Sequence, residues 1–390
     1  MTRRDPSQDV PYDRDLIRSG RVAPRDSHRE REASRQPSGR YEPEAGRRPE
    51  YRPPYRPARR RSAGGTIARV FSILLVAVLL VAVLLGVRAA AFNASVSTAL
   101  FPSTALLGPL NGSERVNVLL VGYGGADHGG AYLADSIQIM SIDPATDTTT
   151  TIPIPRDLWI EGVSSYPDNG KVNEVFSRGE AAGGLEEAGR LMAEVLSDVT
   201  GLDIEHWISI DFEGFVEMVD AVGGVTVDNP TAFSYTTNEA QHAAGDWTTG
   251  GFEAGEIHLD GEQALAYSRA RYTSVITESN DFARSVRQAR ILAALRDEMG
   301  GGGITAIIPG LRLMDAMEGH VLTDVSVIDL YLLSSHLASD RRVELTEGPV
   351  LTATRNTVGQ YILVPTGWIG PGSYSTVREH LDRELRTDAP

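Results

Sequence analysis

Residues Arg115 to Asp157, RVNVLLVGYGGADHGGAYLADSIQIMSIDPATDTTTTIPIPRD, decide the fold. Val116 to Val121 is apolar at every position but Asn117, as suits a buried strand, and it ends in a glycine-rich loop, Gly122 to Gly130. Ser136 to Ile142 and Thr148 to Ile154 are β-branched runs joined by DPATD, a hairpin signal. Downstream, Leu185 to Val199 and Phe212 to Val222 show the apolar spacing of amphipathic helices. The second stops at Gly223 and Gly224 before a strand at Val225 to Val227, and Ile204 to Asp211 supplies another strand. This interleaving predicts an α/β layered sandwich, a central mixed β-sheet covered by helices.

The 390-residue chain carries a net charge of -15, yet residues 1 to 69 hold 18 Arg against 10 acidic residues. The acidity of the remainder excludes nonspecific nucleic-acid binding there. Without cysteine there is neither a disulfide framework nor a thiol nucleophile. Lys171 is the only lysine, so arginine number alone proves little. Between the two electrical halves lies VFSILLVAVLLVAVLLGV, Val70 to Val87, which as a helix spans about 27 Å, close to a bilayer's hydrocarbon core. The long stretch before it disfavours a cleaved signal peptide. Arg59, Arg60, Arg61 and Arg69 on one flank against Arg88 on the other place the N-terminus in the cytoplasm. The expected organisation is a disordered basic cytoplasmic tail (1–66), one transmembrane anchor in the cell membrane (67–91), a stalk (92–112), an extracytoplasmic domain (113–378) and a C-terminal tail (379–390).

Within the outer domain, Tyr267 to Ile291, YSRARYTSVITESNDFARSVRQARI, holds Arg269, Arg271, Arg284, Arg287 and Arg290, with Asp281 beside the later three. So many guanidiniums repel one another unless an anion shares them, and their planar forks suit phosphate oxygens. Asp281 to Met299 reads as a helix with an apolar stripe of Val286, Ile291, Leu292, Leu295 and Met299; Asp281 takes the N-cap, and Arg284, Arg287 and Gln288 share another face. A helix N-terminus under several arginines is an anion site; the plainer alternative is a solvated charged face. Asp135 suits either a hard cation such as Mg2+ or an Asx turn, and Asp127 and His128 in the loop either reach that metal or sit in solvent. Arg156 and Asp157 follow a strand end, as ligand-binding groups or as a turn ion pair; Lys171 and Asn173 lie on a turn. Further on, Ile307 to Met317 and Ser326 to Ser339 read as helices and GQYILVPTGW as a strand with a turn, while Arg341, Arg342 and Arg355 read as surface residues.

Together, from Arg115 to about Arg296, these blocks resemble the LytR-CpsA-Psr (LCP) family of cell-wall ligases. Its apolar strand, glycine loop and Asp-Ser/Thr resemble VNVLLVGYGG and LADSIQIMSIDP. Its S-I-P-R-D resembles IPIPRD, its K-I-N resembles Lys171-Val172-Asn173, and its D-F-x-G-F is Asp211 to Phe215. The most specific portion, L-x-G-x-Q-A-L-x-Y-x-R-x-R followed by D-F-x-R-x-x-R-Q, is matched by LDGEQALAYSRAR and DFARSVRQ. The resemblance implies a phosphotransferase that moves a glycopolymer from a polyprenyl-pyrophosphate carrier in the bilayer to a peptidoglycan acceptor, with Mg2+ as cofactor. It assigns the metal to Asp135, with Asp127 as a second candidate. It assigns the pyrophosphate to Arg156, Arg269, Arg271, Arg284, Arg287 and Gln288, and catalysis to Arg156, Arg271 and Asp281. Asp281 either accepts the acceptor hydroxyl's proton or serves as a cap. Tyr123 and Leu133 stand where many relatives carry an aspartate and an arginine. Two rivals stay open: hydrolysis of the same lipid pyrophosphates, and a non-enzymatic wall-binding or signalling protein.

Overall fold

The computed structural model describes residues 63–99, 115–126, 128–146, 148–237, 239–299, 307–326, 328–329 and 341–386. The tail before residue 63, most of the expected stalk, Asp127, the glycines from Gly300, and most of the helix expected at Ser326 to Ser339 lie outside them.

Helix α1 (Ala63–Val96) precedes strands β1 (Val116–Tyr123), β2 (Ala134–Asp143), β3 (Thr148–Pro153), β4 (Trp159–Ile160) and β5 (Gly170–Lys171). Helix α2 (Val172–Thr200), β6 (Ile204–Asp211), α3 (Phe212–Ala221), β7 (Val225–Asn229), β8 (Phe233–Thr236) and α4 (Glu239–Ala244) follow. Next come β9 (Gly250–Phe252), β10 (Gly255–Leu259), α5 (Gly261–Arg269), β11 (Tyr272–Thr273) and α6 (Asp281–Met299). The chain continues through α7 (Ile307–Met317), β12 (Val321–Thr323), β13 (Arg341–Arg342), β14 (Leu351–Arg355), β15 (Tyr361–Pro365) and α8 (Ser375–Arg386).

A six-stranded sheet in the order β12-β6-β1-β2-β3-β13 forms the centre, and it is mixed: β1 runs parallel to β6 and β3 to β13, while the other neighbours are antiparallel. Strand β1 is apolar at consecutive positions from Val118 to Val121 because both its faces are covered. Leu119 and Val121 face the core beneath α2, whereas Val118 packs with Met140, Ile142 and Val325 on the other side. Helix α2 extends the expected helix by more than three turns at its start, with Gly183 and Gly184 breaking the helical backbone. Gly189 lets it approach the sheet: the Trp207 ring fills the space that a Cβ would need. A second core, built from α3, α5, α6 and the small strands, gathers Val219, Val225, Phe233, Tyr267, Ile291 and Leu295.

Four expectations about boundaries change. Helix α8 runs past residue 378 and buries Leu381 and Leu385 against the main core, so the domain extends to Arg386. Residues 63–66 belong to α1, not to a tail. Helix α1 is long and apolar enough to cross a membrane, with Ile73 to Val87 largely exposed, yet it does not give way to a free stalk at 92. Phe92 and Val96 are buried and Ser97 bridges to Thr323 of β12. Arg341 and Arg342 are not free surface residues: they pair with β3 at the sheet edge, and Arg342 donates to the Ser285 carbonyl on α6 at 3.0 Å.

Candidate anion site at the end of the sheet

The site forms where the parallel strands end. The glycine loop after β1 brings Gly125, at φ 87, against Asp211 at the end of β6; a residue free to adopt positive φ is needed for that turn. Asp211 caps α3 by accepting from the Gly214 N–H at 2.8 Å, which points Phe212 toward the loop. The Arg269 guanidinium at the end of α5 lies over the Phe212 ring, 4.0 Å from its centroid, and donates to His128 Nε2 at 3.1 Å. Phe212 and His128 thus hold Arg269 in place beside Asp135.

Asp135, at the start of β2, sits between two guanidiniums. Arg156 Nη1 donates to its Oδ1 at 2.6 Å, and Arg269 Nη2 lies 3.6 Å from its Oδ2. Beside it, Ser136 Oγ donates to Gln288 Oε1 at 3.1 Å, which draws α6 to the strand. Asp157, only 2 % exposed, accepts from Lys171 Nζ at 2.5 Å and lies 4.0 Å from Arg271. Arg284 is 8 % exposed and pairs with Asp281 at 3.3 Å. Burial pulls the pKa of Arg269 and Arg284 below the ordinary value, against the raising effect of Asp135 and Asp281, and neighbouring guanidiniums lower both further. Arginine still keeps its proton, so the shift measures how poorly solvated and mutually repelled these charges are. Among the described residues, buried Nε of Arg156 and of Arg284, Asp157 Oδ2 and Asp281 Oδ1 have no hydrogen-bond partner. The two unpaired guanidinium donors, Arg156 Nε and Arg284 Nε, cost roughly 1–3 kcal/mol each, more when charged, and a phosphate group would satisfy them, whereas the two carboxylate oxygens need a donor or a cation.

Two expectations are corrected. Arg287 does not join the cluster: it is fully buried, with Nε bonded to the Tyr267 carbonyl at 2.9 Å, Nη1 to Glu278 Oε2 at 2.7 Å and its carbonyl at 3.1 Å, and Nη2 to the Ala270 carbonyl. It clamps the Tyr267–Glu278 turn onto α6. Asp281 is the first helical residue, not the cap; Asn280 Oδ1 accepts from the Ala283 N–H at 2.8 Å and does that work, which leaves the Asp281 carboxylate to Arg284. Arg156, Arg269, Arg271, Arg284, Gln288, Asp135 and Asp281 do converge. Phe212 and Asp157 belong to the same wall, and Tyr361 lies near enough to feel the charges of Glu347, Asp157, Asp281 and Arg271. Only the D-F-x-G-F block signalled Phe212, and nothing local signalled Tyr361.

For a metal, Asp135 is, among the described residues of the site, the one carboxylate with both oxygens reachable, and guanidiniums already address both. Tyr123 is buried, its ring packed on Phe176 and Tyr132, and supplies no second carboxylate. Such a donor set fits Mg2+ arriving with phosphate oxygens, since that ion accepts one carboxylate plus phosphates and water. A separate trio, Glu213, Glu217 and His320, could gather around a cation, but it lies on α3 and beyond α7. A cavity of about 520 Å³ beside α5, lined by Tyr235, Phe252, Glu253 and Glu262 among others, carries the wrong charge for an anion.

The LytR_cpsA_psr family model matches residues 89–366. A polyisoprenyl-teichoic acid–peptidoglycan teichoic acid transferase TagU of Oceanobacillus iheyensis is 31% identical over 234 residues, 58% of this chain and 64% of that protein. The corresponding TagV of Bacillus subtilis is 27% identical over 257 residues, 64% of this chain and 60% of its own. The chain therefore spans less than two thirds of the length of these curated relatives. The crystal structure of B. subtilis TagV shares the fold, with a TM-score of 0.52 at 24% identity over 70% of this chain and 98% of that one.

Proposed function

The chain belongs to the LytR_cpsA_psr family, and from that premise we propose that it is a membrane-anchored phosphotransferase that moves a glycopolymer from a polyprenyl pyrophosphate to a peptidoglycan hydroxyl. The observation that carries this reading is the excess of buried and half-buried, incompletely paired cations at the end of the sheet. Arg156, Arg269, Arg271, Arg284 and Lys171 face the three carboxylates of Asp135, Asp157 and Asp281. The surplus of two positive charges suits a diphosphate diester, which bears one negative charge on each phosphorus.

The acceptor oxygen attacks the phosphorus that carries the glycan, a new P–O bond forms, and the bond from that phosphorus to the bridging oxygen breaks. Polyprenyl phosphate leaves. Arg156 and Arg269 hold charge that develops on the leaving oxygens, and Arg271 and Arg284 the equatorial oxygens; such fixed donors act without reorganising during reaction. Asp281, whose Oδ1 lies 3.3 Å from Arg284 Nη1 but accepts no hydrogen bond among the described residues, takes the proton of the attacking hydroxyl. Mg2+ bound with the diphosphate would be held by Asp135 and would neutralise further charge. Teichoic acid is the polymer named for the relatives, and it is the first donor to try.

The test is reconstitution of the full chain with a defined lipid-linked glycan and nascent peptidoglycan. A covalent glycan–peptidoglycan product, with one polyprenyl phosphate released per linkage, is expected. Release of phosphorylated glycan at the same rate with and without peptidoglycan would replace transfer by hydrolysis.

A further inference from the structure

Helix α1 is joined to the catalytic sheet as if it were part of it. Its final turns bury Phe92 and Val96, and Asn93 Nδ2 donates to the Ala99 carbonyl at 2.7 Å. Ser97 pairs with Thr323 in parallel register, the Thr98 N–H donates to the Thr323 carbonyl at 3.0 Å, and Ser97 Oγ donates to the Val325 carbonyl at 2.6 Å. Residues 97 and 98 therefore add a rung to the sheet beside β12. Two turns earlier, Arg88 pairs with Asp315 and with Glu318 at 3.1 Å. Contacts at Arg88, Phe92, Val96 and Ser97 fasten more than two turns of helix, so no flexible joint separates anchor from domain.

The direction of this join follows from strand register. Strand β12 is antiparallel to β6, with Val321 opposite Ile210 and Thr323 opposite Ile208, so it starts at the Asp211 end of the sheet and runs away from it. From Arg88 beside Glu318 to Ser97 beside Thr323, α1 follows that segment in the same direction. It thus reaches the domain from the Asp211 end. That is the end where β1 and β6 finish, where β2 begins at Asp135, and where Arg269 lies over Phe212. The β2–β3 hairpin around Ala145 lies at the opposite end, about 30 Å along β2 at roughly 3.4 Å per residue. Across the sheet, Asp135 stands three strand spacings from β12, about 15 Å.

Resting on the membrane anchoring proposed above, we infer that α1 is a rigid strut that holds the arginine cluster facing the outer leaflet of the bilayer, close beside the anchor, with the β2–β3 hairpin directed away from the membrane. The surface around the glycine loop is then a membrane-facing one. The diphosphate is received at the headgroup plane, and the lipid tail need not leave the bilayer far behind.

The cysteine-free chain permits a direct test. Single-cysteine variants of the full chain in nanodiscs, Gly129→Cys in the loop and Ala145→Cys at the hairpin, carry a fluorophore, and lipids with nitroxide headgroups act as quencher. Both positions are exposed, and a Cβ on Gly129 meets no atom within 4 Å. Quenching at residue 129 several-fold stronger than at 145 is expected, and a ten-residue Gly-Ser insertion between Arg88 and Ala89 should shrink the contrast. Equal quenching, stronger quenching at 145, or a contrast indifferent to the insertion overturns the inference. Loss of the chain from the discs overturns the anchoring and the inference with it. An intact contrast without ligation in the reconstitution supports the strut and defeats only the transfer reading.

Discussion

Arg287→Ala and Arg271→Ala should fail in opposite ways, because the structure gives two arginines of one sequence cluster opposite tasks. Arg287 is fully buried and bonded to three backbone carbonyls and to Glu278. Its removal leaves the carbonyls of Tyr267 and Ala270 without this donor and a half-buried carboxylate without its counter-charge. Breaking a buried pair costs about 3–5 kcal/mol. With roughly 2–4 °C of Tm per kcal/mol in a domain of this size, a loss of about 10 °C or more is expected. Arg271 is 40% exposed in its side chain, and its one carboxylate neighbour, Asp157, keeps Lys171 as partner. Arg271→Ala should stay within about 0.5 kcal/mol of the parent and yet lower turnover by about 10²-fold or more, as loss of a transition-state donor does. Urea melts of both variants, with ligation rates measured well below each midpoint, separate the effects. A stable Arg287→Ala protein that has lost turnover would refute this division of labour, as would an Arg271→Ala protein that unfolds.

Asp157→Asn should strand the Lys171 ammonium beside a buried amide and loosen Arg271, costing about 3 kcal/mol in urea melts together with a fall in turnover; either loss without the other contradicts the shared contact. Gly189→Leu should destabilise the domain by several kcal/mol, and Gly189→Ala by about 1–3 kcal/mol, because Trp207 holds the space; an unchanged midpoint for both would mean that α2 sits elsewhere. For His206, burial lowers the pKa, but the hydrogen bond to Asp324 and its charge outweigh this and leave it raised. The stabilisation is therefore fully present below the ordinary value near 6.5 and is lost as pH rises through the raised one. Chemical-denaturation midpoints should fall from pH 6 to pH 8.5, and His206→Gln should flatten that slope; a slope unaltered in the variant would count against it. Titration calorimetry should find no tight Mg2+ site on the free chain and a site once a diphosphate is added, lost in Asp135→Asn; tight binding to the free chain would show ligands beyond Asp135.

What the sequence conveyed well was whatever depends on short range. The runs that became β1, β2, β3 and β6 carry their burial in their own composition, and the DPATD turn pairs β2 with β3. The convergence of Asp135, Arg156, Arg269, Arg271 and Arg284 came through ordered motif blocks, with the charge repulsion among arginines giving the physical reason. What stayed hidden depends on partners far away in the chain. Arg284 and Arg287 are one turn apart and equally basic, and helical spacing places them on the same face. Which one turns inward is decided by the carbonyls of Tyr267 and Ala270 and by Glu278, none of them on that helix. Arg341 and Arg342 looked like surface charges because nothing local shows that β3 leaves an edge for them.

The same distinction explains why Asp281 is available for chemistry. A capping aspartate has its oxygens committed to the N–H groups of the first turn, which stabilises the carboxylate and makes it a poorer base. Asn280 performs the capping through a neutral amide oxygen, so Asp281 sits one step into the helix with its Oδ1 3.3 Å from Arg284 Nη1 and accepting no hydrogen bond among the described residues. Asn280→Ala should remove the cap, costing about 1 kcal/mol, and pull Asp281 toward the vacant N–H groups. The reading then requires a greater loss of turnover than of stability, partly recovered by Asn280→Ser, which restores a capping oxygen. If Asn280→Ala lowers the urea midpoint and leaves the ligation rate untouched, Asp281 is not the proton acceptor.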